Sequence, residues 1–370
     1  MNTKQFKQIP QIIVTSVLIS NTLGVSLPTF ANGQRLNIII SQQQPKSPTQ
    51  KPKTQTETPK TPTEKPKVKP EQPKSQTVNP EAEKIYKLGV ASYKKGDKKQ
   101  ALEYFNQALK LNDKYVKAYF YRGLTKSDLK DKKGAIEDYT QVILLDQKHP
   151  NANYNRGVVK SELGDKEGAI EDFNQAIIIN PGDVEAYNNR GNMYYDLGKK
   201  EEAIADYTAA IKVNPQYDKP YNNRGNVLAD LGKNKEAIAD FTQAIKINPK
   251  YDRAYYNRGL KYLEMEDIKS ALADFDQAIK YDVKYEKAYY NRGIIKSRLG
   301  DKKGAIADYN EAIKINPNYG DAYYNRAGIL ATLGDKKGAI ADFKKAAEIY
   351  KQKEQDRFEQ DALEQIKKLQ

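Results

Sequence analysis

An all-α stack of eight helical hairpins, an α-solenoid, is the fold this sequence predicts, and three periodic features predict it. A small residue recurs every 34 positions at Gly89, Gly123, Gly157, Gly191, Gly225, Gly259, Gly293 and Ala327. Alanine keeps the same spacing at Ala101, Ala135, Ala169, Ala203, Ala237, Ala271, Ala305 and Ala339. Within each repeat an apolar helical stretch meets a short punctuation and then a second apolar helical stretch, as in AYNNRGNMYYDLG followed by KKEEAIADYTAAIKVNP. The repeats follow one another without insertion at 82–115, 116–149, 150–183, 184–217, 218–251, 252–285, 286–319 and 320–353.

The punctuation has a mechanical reading. Gly96, Gly164, Gly198, Gly232, Gly300 and Gly334 end the first helix of their repeats by taking a left-handed conformation, and Asp97, Asp165, Asp301 and Asp335 follow as N-caps of the second. Pro181, Pro215, Pro249 and Pro317 stand where the second helix must stop. A lone hairpin cannot bury its apolar face, so small residues at close crossings and aromatic residues between repeats point to one core shared by neighbours. After the last repeat, Phe358, Ala362, Leu363, Ile366 and Leu369 fall at helical spacing, which predicts a capping helix within 354–370.

The first eighty residues differ in kind. Residues 1–31 read as a secretory signal: Lys4 and Lys7 open it, an apolar stretch runs from Ile12 to Leu27, and Thr29-Phe30-Ala31 offers small residues to a signal peptidase. Cleavage near Ala31 would export the chain to a periplasm, a lumen or the exterior. The alternative is an uncleaved membrane anchor, although Thr15, Ser16, Ser20, Asn21 and Thr22 interrupt the apolar run. Residues 32–81 read as a disordered linker rich in proline, lysine and threonine, with nine prolines between 41 and 80 and little apolar surface to offset the entropy of folding. Its lysines would attract an anionic membrane or wall surface.

Composition narrows the function. The chain has no cysteine, which excludes disulfides, thiolate metal sites and a cysteine nucleophile and is compatible with an oxidising compartment. The net charge of +14 lies mostly outside the repeats: residues 1–80 hold 11 Lys/Arg against 3 Asp/Glu, leaving 51 against 45 for the rest. No basic stripe for a phosphate backbone follows from so balanced a fold, so a nucleic-acid partner is not expected.

The residues resemble the tetratricopeptide repeat, whose pattern has an aromatic at position 4, Gly at 8, Ala at 20, an aromatic at 24, Ala at 27 and Pro at 32. In the repeat beginning at Val184 those positions hold Tyr187, Gly191, Ala203, Tyr207, Ala210 and Pro215. The resemblance covers residues 82–353, and the AYYNRG-like repeats are similar to those of exported bacterial members. Tyrosine replaces the family's usual tryptophan, Ala327 stands for a glycine, and Asp113, Gln147, Val283 and Lys351 stand where the family has proline, which leaves those helix ends without the family's proline stop. The resemblance implies a right-handed superhelix whose first helices line a concave groove through positions 2, 5, 6, 9 and 13.

Position 6 is asparagine in six consecutive repeats: Asn155, Asn189, Asn223, Asn257, Asn291 and Asn325. Asparagine is a poor helix former, and its amide offers donors and an acceptor suited to a peptide backbone. A similar asparagine ladder lines the superhelix of some sugar-transferase repeat domains and holds extended peptides; the resemblance assigns that role to these six residues. Tyr154, Tyr256, Tyr290 and Tyr324 at position 5 would add stacking, and Val158, Leu260 and Ile294 at position 9 apolar pockets. Asp128, Glu162, Asp196, Asp230 and Glu264 at position 13 would favour a ligand with basic side chains. The alternative readings are amides paired between helices and a solvated acidic face.

A second pattern reads as structural. Arg122, Arg156, Arg190, Arg224, Arg258, Arg292 and Arg326 hold position 7, and Asp138, Asp172, Asp206, Asp240, Asp274, Asp308 and Asp342 hold position 23. The first repeat lacks both and has Leu88 and Tyr104. The joint switch predicts an ion pair between the two helices of each repeat.

Enzymatic chemistry lacks parts. His149 is the one histidine, in a loop where a solvated side chain is expected, and the glycines are spaced for hairpins rather than for a phosphate loop. The sequence therefore predicts a non-enzymatic scaffold without cofactor or metal, binding another protein or an extended peptide. The alternative is an envelope-tethered structural or self-associating protein anchored by its basic linker.

Overall fold

The computed structural model describes residues 79–370; the expected signal segment and almost all of the expected linker lie outside the described residues. The described residues form two compact units, 79–299 and 300–370. The first contains α1 (Pro80–Lys95), α2 (Lys98–Leu111), α3 (Val116–Asp128), α4 (Lys132–Leu145), α5 (Ala152–Glu162), α6 (Lys166–Ile179), α7 (Val184–Asp196), α8 (Lys200–Val213), α9 (Asp218–Asp230), α10 (Asn234–Ile247), α11 (Asp252–Glu264), α12 (Ile268–Tyr281) and α13 (Glu286–Arg298). Helices α1 to α12 pack as six consecutive hairpins, and each second helix packs on the first helix of the next repeat. The second unit contains α14 (Lys302–Ile315), α15 (Gly320–Thr332), α16 (Lys336–Gln352) and α17 (Asp356–Leu369), with α15 and α16 as a hairpin, α14 against α15 and α17 against α16.

The alanines at position 20, from Ala101 to Ala339, are fully buried, and the aromatic at position 24 lies against the glycine at position 8. A Cβ on Gly225 would sit 2.7 Å from the Phe241 ring, so only a bare backbone lets helix and ring approach this closely. The last repeat has Ala327 there, and its Tyr324 and Phe343 rings meet edge-on at 73° with centroids 5.1 Å apart. In the sixth repeat Tyr256 and Phe275 lie tilted at 47° and 5.8 Å.

The helix corners follow the glycines. All six punctuating glycines have φ between 74° and 88°, and at the same position Lys130 and Glu266 are forced to φ 69° and 62°. A left-handed backbone costs a residue with Cβ about 1–2 kcal/mol. Glu266→Gly is therefore expected to stabilise the protein by about 1 kcal/mol in urea unfolding. Asp97, Asp165, Asp301 and Asp335 each accept the main-chain N–H three residues on, at 3.1, 3.0, 2.8 and 2.9 Å.

The second helices do not depend on proline for their ends. Helices α2, α4 and α12 lack the following proline and still stop at the same repeat position as α6, α8, α10 and α14. In all seven an Asn or Asp follows the last helical residue, and its side chain accepts the N–H two residues on, as Asn112 does from Lys114 at 3.0 Å and Asp282 from Lys284 at 2.9 Å. This local bond competes with a further helical turn. In the last repeat Tyr350 takes that place, and α16 runs on to Gln352.

Helix α17 covers the far side of α16, with Ala362 and Ile366 buried beside Phe343, Ala347 and Tyr350, and Phe358 and Leu369 packed around them. Leu363, expected on the same stripe, is 37% exposed. The seam follows 358, 362, 366 and 369, and Leu363 lies about 100° off it around the helix.

His149 is not a freely solvated loop residue. Its ring packs 4.7 Å from that of Phe120, at the position where most repeats carry tyrosine, and burial lowers its pKa. The folded protein then binds fewer protons here than the unfolded chain. Stability is expected to fall as pH drops below the ordinary histidine value of about 6.5. In His149→Tyr that part of the slope should vanish from urea midpoints measured at several pH values.

Candidate protein-binding face

The face in question is built by the first helices α5, α7, α9, α11 and α13. Because a side chain one turn along a helix lies on the same stripe, positions 2, 5, 6, 9 and 13 of each helix share a side. Along this side the ladder asparagines reach backwards to the preceding repeat. Asn189 Nδ2 donates to Tyr154 Oη at 3.1 Å. Asn223 Nδ2 donates to Asn188 Oδ1 at 3.0 Å and Asn192 Oδ1 at 3.1 Å. Asn257 Nδ2 donates to Asn222 Oδ1 at 3.1 Å and Asn226 Oδ1 at 2.9 Å. Asn291 Nδ2 donates to Tyr256 Oη at 3.2 Å and to the Lys287 carbonyl at 3.0 Å. Asn155 instead donates within its own helix, to the Asn151 carbonyl at 2.8 Å.

The ladder is thus a seam between successive repeats, and only part of it reaches the surface. Asn155, Asn189, Asn223, Asn257 and Tyr154 are half-buried. Asn291 and Asn325 are buried, and so are Tyr256, Tyr290 and Tyr324. These five are not on an open groove wall. Position 5 points into the joint between repeats: Tyr256 Oη accepts from Asn291 of the next repeat, and its ring packs tilted against Phe275 and Tyr285, the latter with centroids 4.7 Å apart. Leu260 and Ile294 are buried as well, while Val158 is half-buried.

The residues that the ladder uses as acceptors carry a signal of their own. The fourth and fifth repeats share the string YNNRGN, at Tyr187–Asn192 and Tyr221–Asn226, with asparagine at positions 5, 6 and 9. The other repeats from the second onward carry an aromatic at position 5, so Asn188, Asn192, Asn222 and Asn226 stand out by comparison between repeats.

The arginines at position 7 form forked pairs. Arg190 Nε and Nη2 donate to the two oxygens of Asp206 at 2.8 and 2.5 Å, and Arg122, Arg156, Arg224, Arg258 and Arg326 grip Asp138, Asp172, Asp240, Asp274 and Asp342 in the same way. Asp308 is buried like the other aspartates of this series. Burial pushes the Asp206 and Asp274 carboxyls above the ordinary range against the pull of Arg190 and Arg258. The remaining arm of each arginine crosses to the preceding repeat: Nη1 donates to Asn106, Thr140, Asn174, Thr208, Thr242, Asp276 or Asn310 for Arg122 through Arg326 in order, at 2.5 to 3.0 Å. These acceptors also recur every 34 residues, a signal that reading one repeat at a time misses. The first repeat has no predecessor and carries Leu88 in place of arginine; the last has no following repeat and carries Lys344 in place of the acceptor.

The acidic run at position 13 is partly neutralised. Lys98 pairs with Asp128 at 2.6 Å, Lys132 with Glu162 at 3.1 Å and Lys261 with Glu264 at 2.6 Å. The corresponding lysines of the third and fourth repeats, Lys166 and Lys200, donate instead to the main-chain carbonyls of Asp196 and Asp230 in the fourth and fifth. Asp230 accepts from Tyr195 Oη.

Among the described residues no group of three or more His, Asp or Glu side chains is arranged to hold a metal ion, and no helix is long and apolar enough to cross a membrane. Sequence profiles described as TPR repeat match residues 161–198, 191–232 and 225–266. Profiles described as tetratricopeptide repeat match 82–115, 116–149, 252–284, 286–319 and 308–341. No curated protein sequence matches significantly. Among solved structures, a tetratricopeptide repeat protein from Parabacteroides merdae ATCC 43184 matches with a TM-score of 0.53 and 23% identity over 67% of this chain and 98% of that one, which shows a common fold. YrrB, a TPR protein with an unusual peptide-binding site, matches with a TM-score of 0.44 and 24% identity over 53% and 97% of the two chains. MamA matches with a TM-score of 0.42 and 25% identity over 45% and 96%. With repeat profiles matched over well more than half its length, the chain belongs to the tetratricopeptide-repeat family.

Proposed function

We propose that this protein-interaction scaffold holds an extended segment of another exported protein along the first helices of its third to sixth repeats. The observation that carries the reading is the row of half-buried amides and one phenol on that side, Tyr154, Asn155, Asn189, Asn192, Asn223, Asn226 and Asn257, fixed in orientation by bonds across the repeat joints and, for Asn155, by a bond within its own helix. Polar groups already held in place lose little freedom when a main chain binds to them. Asp196 and Asp230 lie four residues beyond Asn192 and Asn226 and favour lysine or arginine on the ligand. The activity is non-catalytic, and the chain acts outside the inner membrane after removal of residues 1–31. N-terminal sequencing of the exported protein should begin near Asn32; a protein still starting at Met1 would refute the cleavage.

The face is tested by blocking it at its edge, with the bonds between asparagines of successive repeats left in place. Glu185 and Lys219 are exposed at position 2, and Tyr154 Oη donates to Glu185 Oε2 at 3.2 Å, which puts that residue beside the ladder. Glu185→Trp with Lys219→Trp should abolish capture of partners in cross-linking from the source cell, whereas Lys235→Trp on the exposed side of α10 should leave it intact. Equal capture by both, with loss only when residues 41–78 are deleted, would instead assign binding to the linker.

A further inference from the structure

The hydrogen-bond directions in the fourth and fifth repeats narrow the ligand, on the footing that this face binds a chain at all. Asn192 Oδ1 is occupied twice, by Tyr207 Oη at 2.8 Å and by Asn223 Nδ2 at 3.1 Å. Asn226 Oδ1 is occupied by Asn257 Nδ2 at 2.9 Å. An amide held by its oxygen points its two N–H groups the other way. Both residues are half-buried, so their donors reach the edge of the seam. Asp196 and Asp230 follow each of them by one helical turn. The window thus presents main-chain-seeking donors and, beside them, negative charge.

An ordinary extended peptide brings an N–H for every C=O, and its N–H groups would have to compete with the ligand's lysines for the Asp196 and Asp230 carboxylates, the acceptors beside the donor pair. A proline-rich chain brings carbonyls and few N–H groups. In polyproline II geometry every third carbonyl falls on one side at a spacing of about 9.3 Å, so one face of such a chain offers acceptors at regular intervals along a row of donors. A chain with these properties is part of the protein itself. From Pro45 the dipeptide Pro-Lys recurs every seven residues, at Pro45-Lys46, Pro52-Lys53, Pro59-Lys60, Pro66-Lys67 and Pro73-Lys74. We propose that the donor pair Asn192 and Asn226, with Asp196 and Asp230, is a binding site for a proline- and lysine-rich chain, and that residues 45–74 of this protein are its ligand. The reach is sufficient: fourteen residues from Pro66 to Pro80 span up to about 43 Å at ~3.1 Å each. The window lies three to four repeats beyond the first, roughly 30–40 Å at about 10 Å for each repeat.

The test is a titration by fluorescence anisotropy. The host is the full chain with Pro45, Pro48, Pro52, Pro59, Pro62, Pro66, Pro70 and Pro73 changed to alanine, so that its own segment does not compete. The probe is a labelled peptide of residues 57–74, and a second peptide of equal charge carries alanine at every proline. The native peptide should bind at least ten-fold more tightly than its alanine counterpart. In the host, Asn192→Asp with Asn226→Asp keeps the oxygens that accept from Tyr207, Asn223 and Asn257 and removes the outward donors. It should weaken the native peptide at least ten-fold even though the added carboxylates attract its lysines. Asp196→Asn with Asp230→Asn should weaken it several-fold at low salt and little at high salt. Equal affinity for the two peptides, unchanged or tighter binding after the Asn→Asp changes, or no binding at all would overturn the proposal. If that happens while the tryptophan block still abolishes partner capture, the ligand class is wrong and the binding face stands; if the block also fails, the face itself is wrong.

Discussion

Arg190→Leu is expected to destabilise the fourth repeat and its neighbours by about 3–5 kcal/mol, because it leaves a carboxylate buried without its partner. Asp206 is about 5% exposed and receives both Nε and Nη2 of Arg190. Burial already raises its pKa, so the pair offsets a desolvation cost rather than adding a large surplus. The double change Arg190→Leu with Asp206→Tyr copies what the first repeat carries naturally in Leu88 and Tyr104, and most of the loss should return. The difference between the single and double variants in urea unfolding measures the coupling, and additive effects would show that the pair is incidental. Arg190 also holds Asn174 of the preceding repeat at 2.6 Å, so the single variant should speed amide exchange in α6 as well as in α7 and α8.

Phe241→Ala should cost about 3–5 kcal/mol, the range for deleting a fully buried aromatic ring. Phe241 is fully buried and its ring lies against Gly225, where a Cβ would approach to 2.7 Å. Removing the ring leaves a cavity that two rigid helices cannot close. Adding a methyl from the other side, as Gly225→Ala, should cost less, about 1–3 kcal/mol, since the ring can turn as Phe343 does opposite Ala327. A Phe241→Ala midpoint equal to that of the parent in urea would mean that the ring does not bridge the two helices.

Much of the fold was legible because its causes are local. A glycine before an aspartate forces a corner and starts a helix, and that happens within a few residues of one chain segment. The helix stops were read from proline alone for a related reason: proline is the visible breaker, yet Asn112, Asp146 and Asp282 end their helices without it, through a side-chain bond to the N–H two residues on. That signal was present in every repeat but the last, in a residue type that is less conspicuous than proline.

The candidate face was legible only in part. Periodicity alone identified the asparagine ladder and the paired Arg and Asp positions, because a repeated residue at a repeated place needs a repeated reason. It could not tell which way the side chains turn. Whether Asn291, Tyr256 and Tyr290 open to solvent or close into a joint depends on how far one helix rolls against the next, and that is set by the packing of Ala, Gly and aromatic residues contributed by different repeats. The 34-residue period, the helical class and the hairpin corners are determined by residues close in sequence. The donor directions of Asn192 and Asn226, and the third arm of each arginine, exist only where two repeats meet, because a hydrogen bond is fixed by the position of both partners.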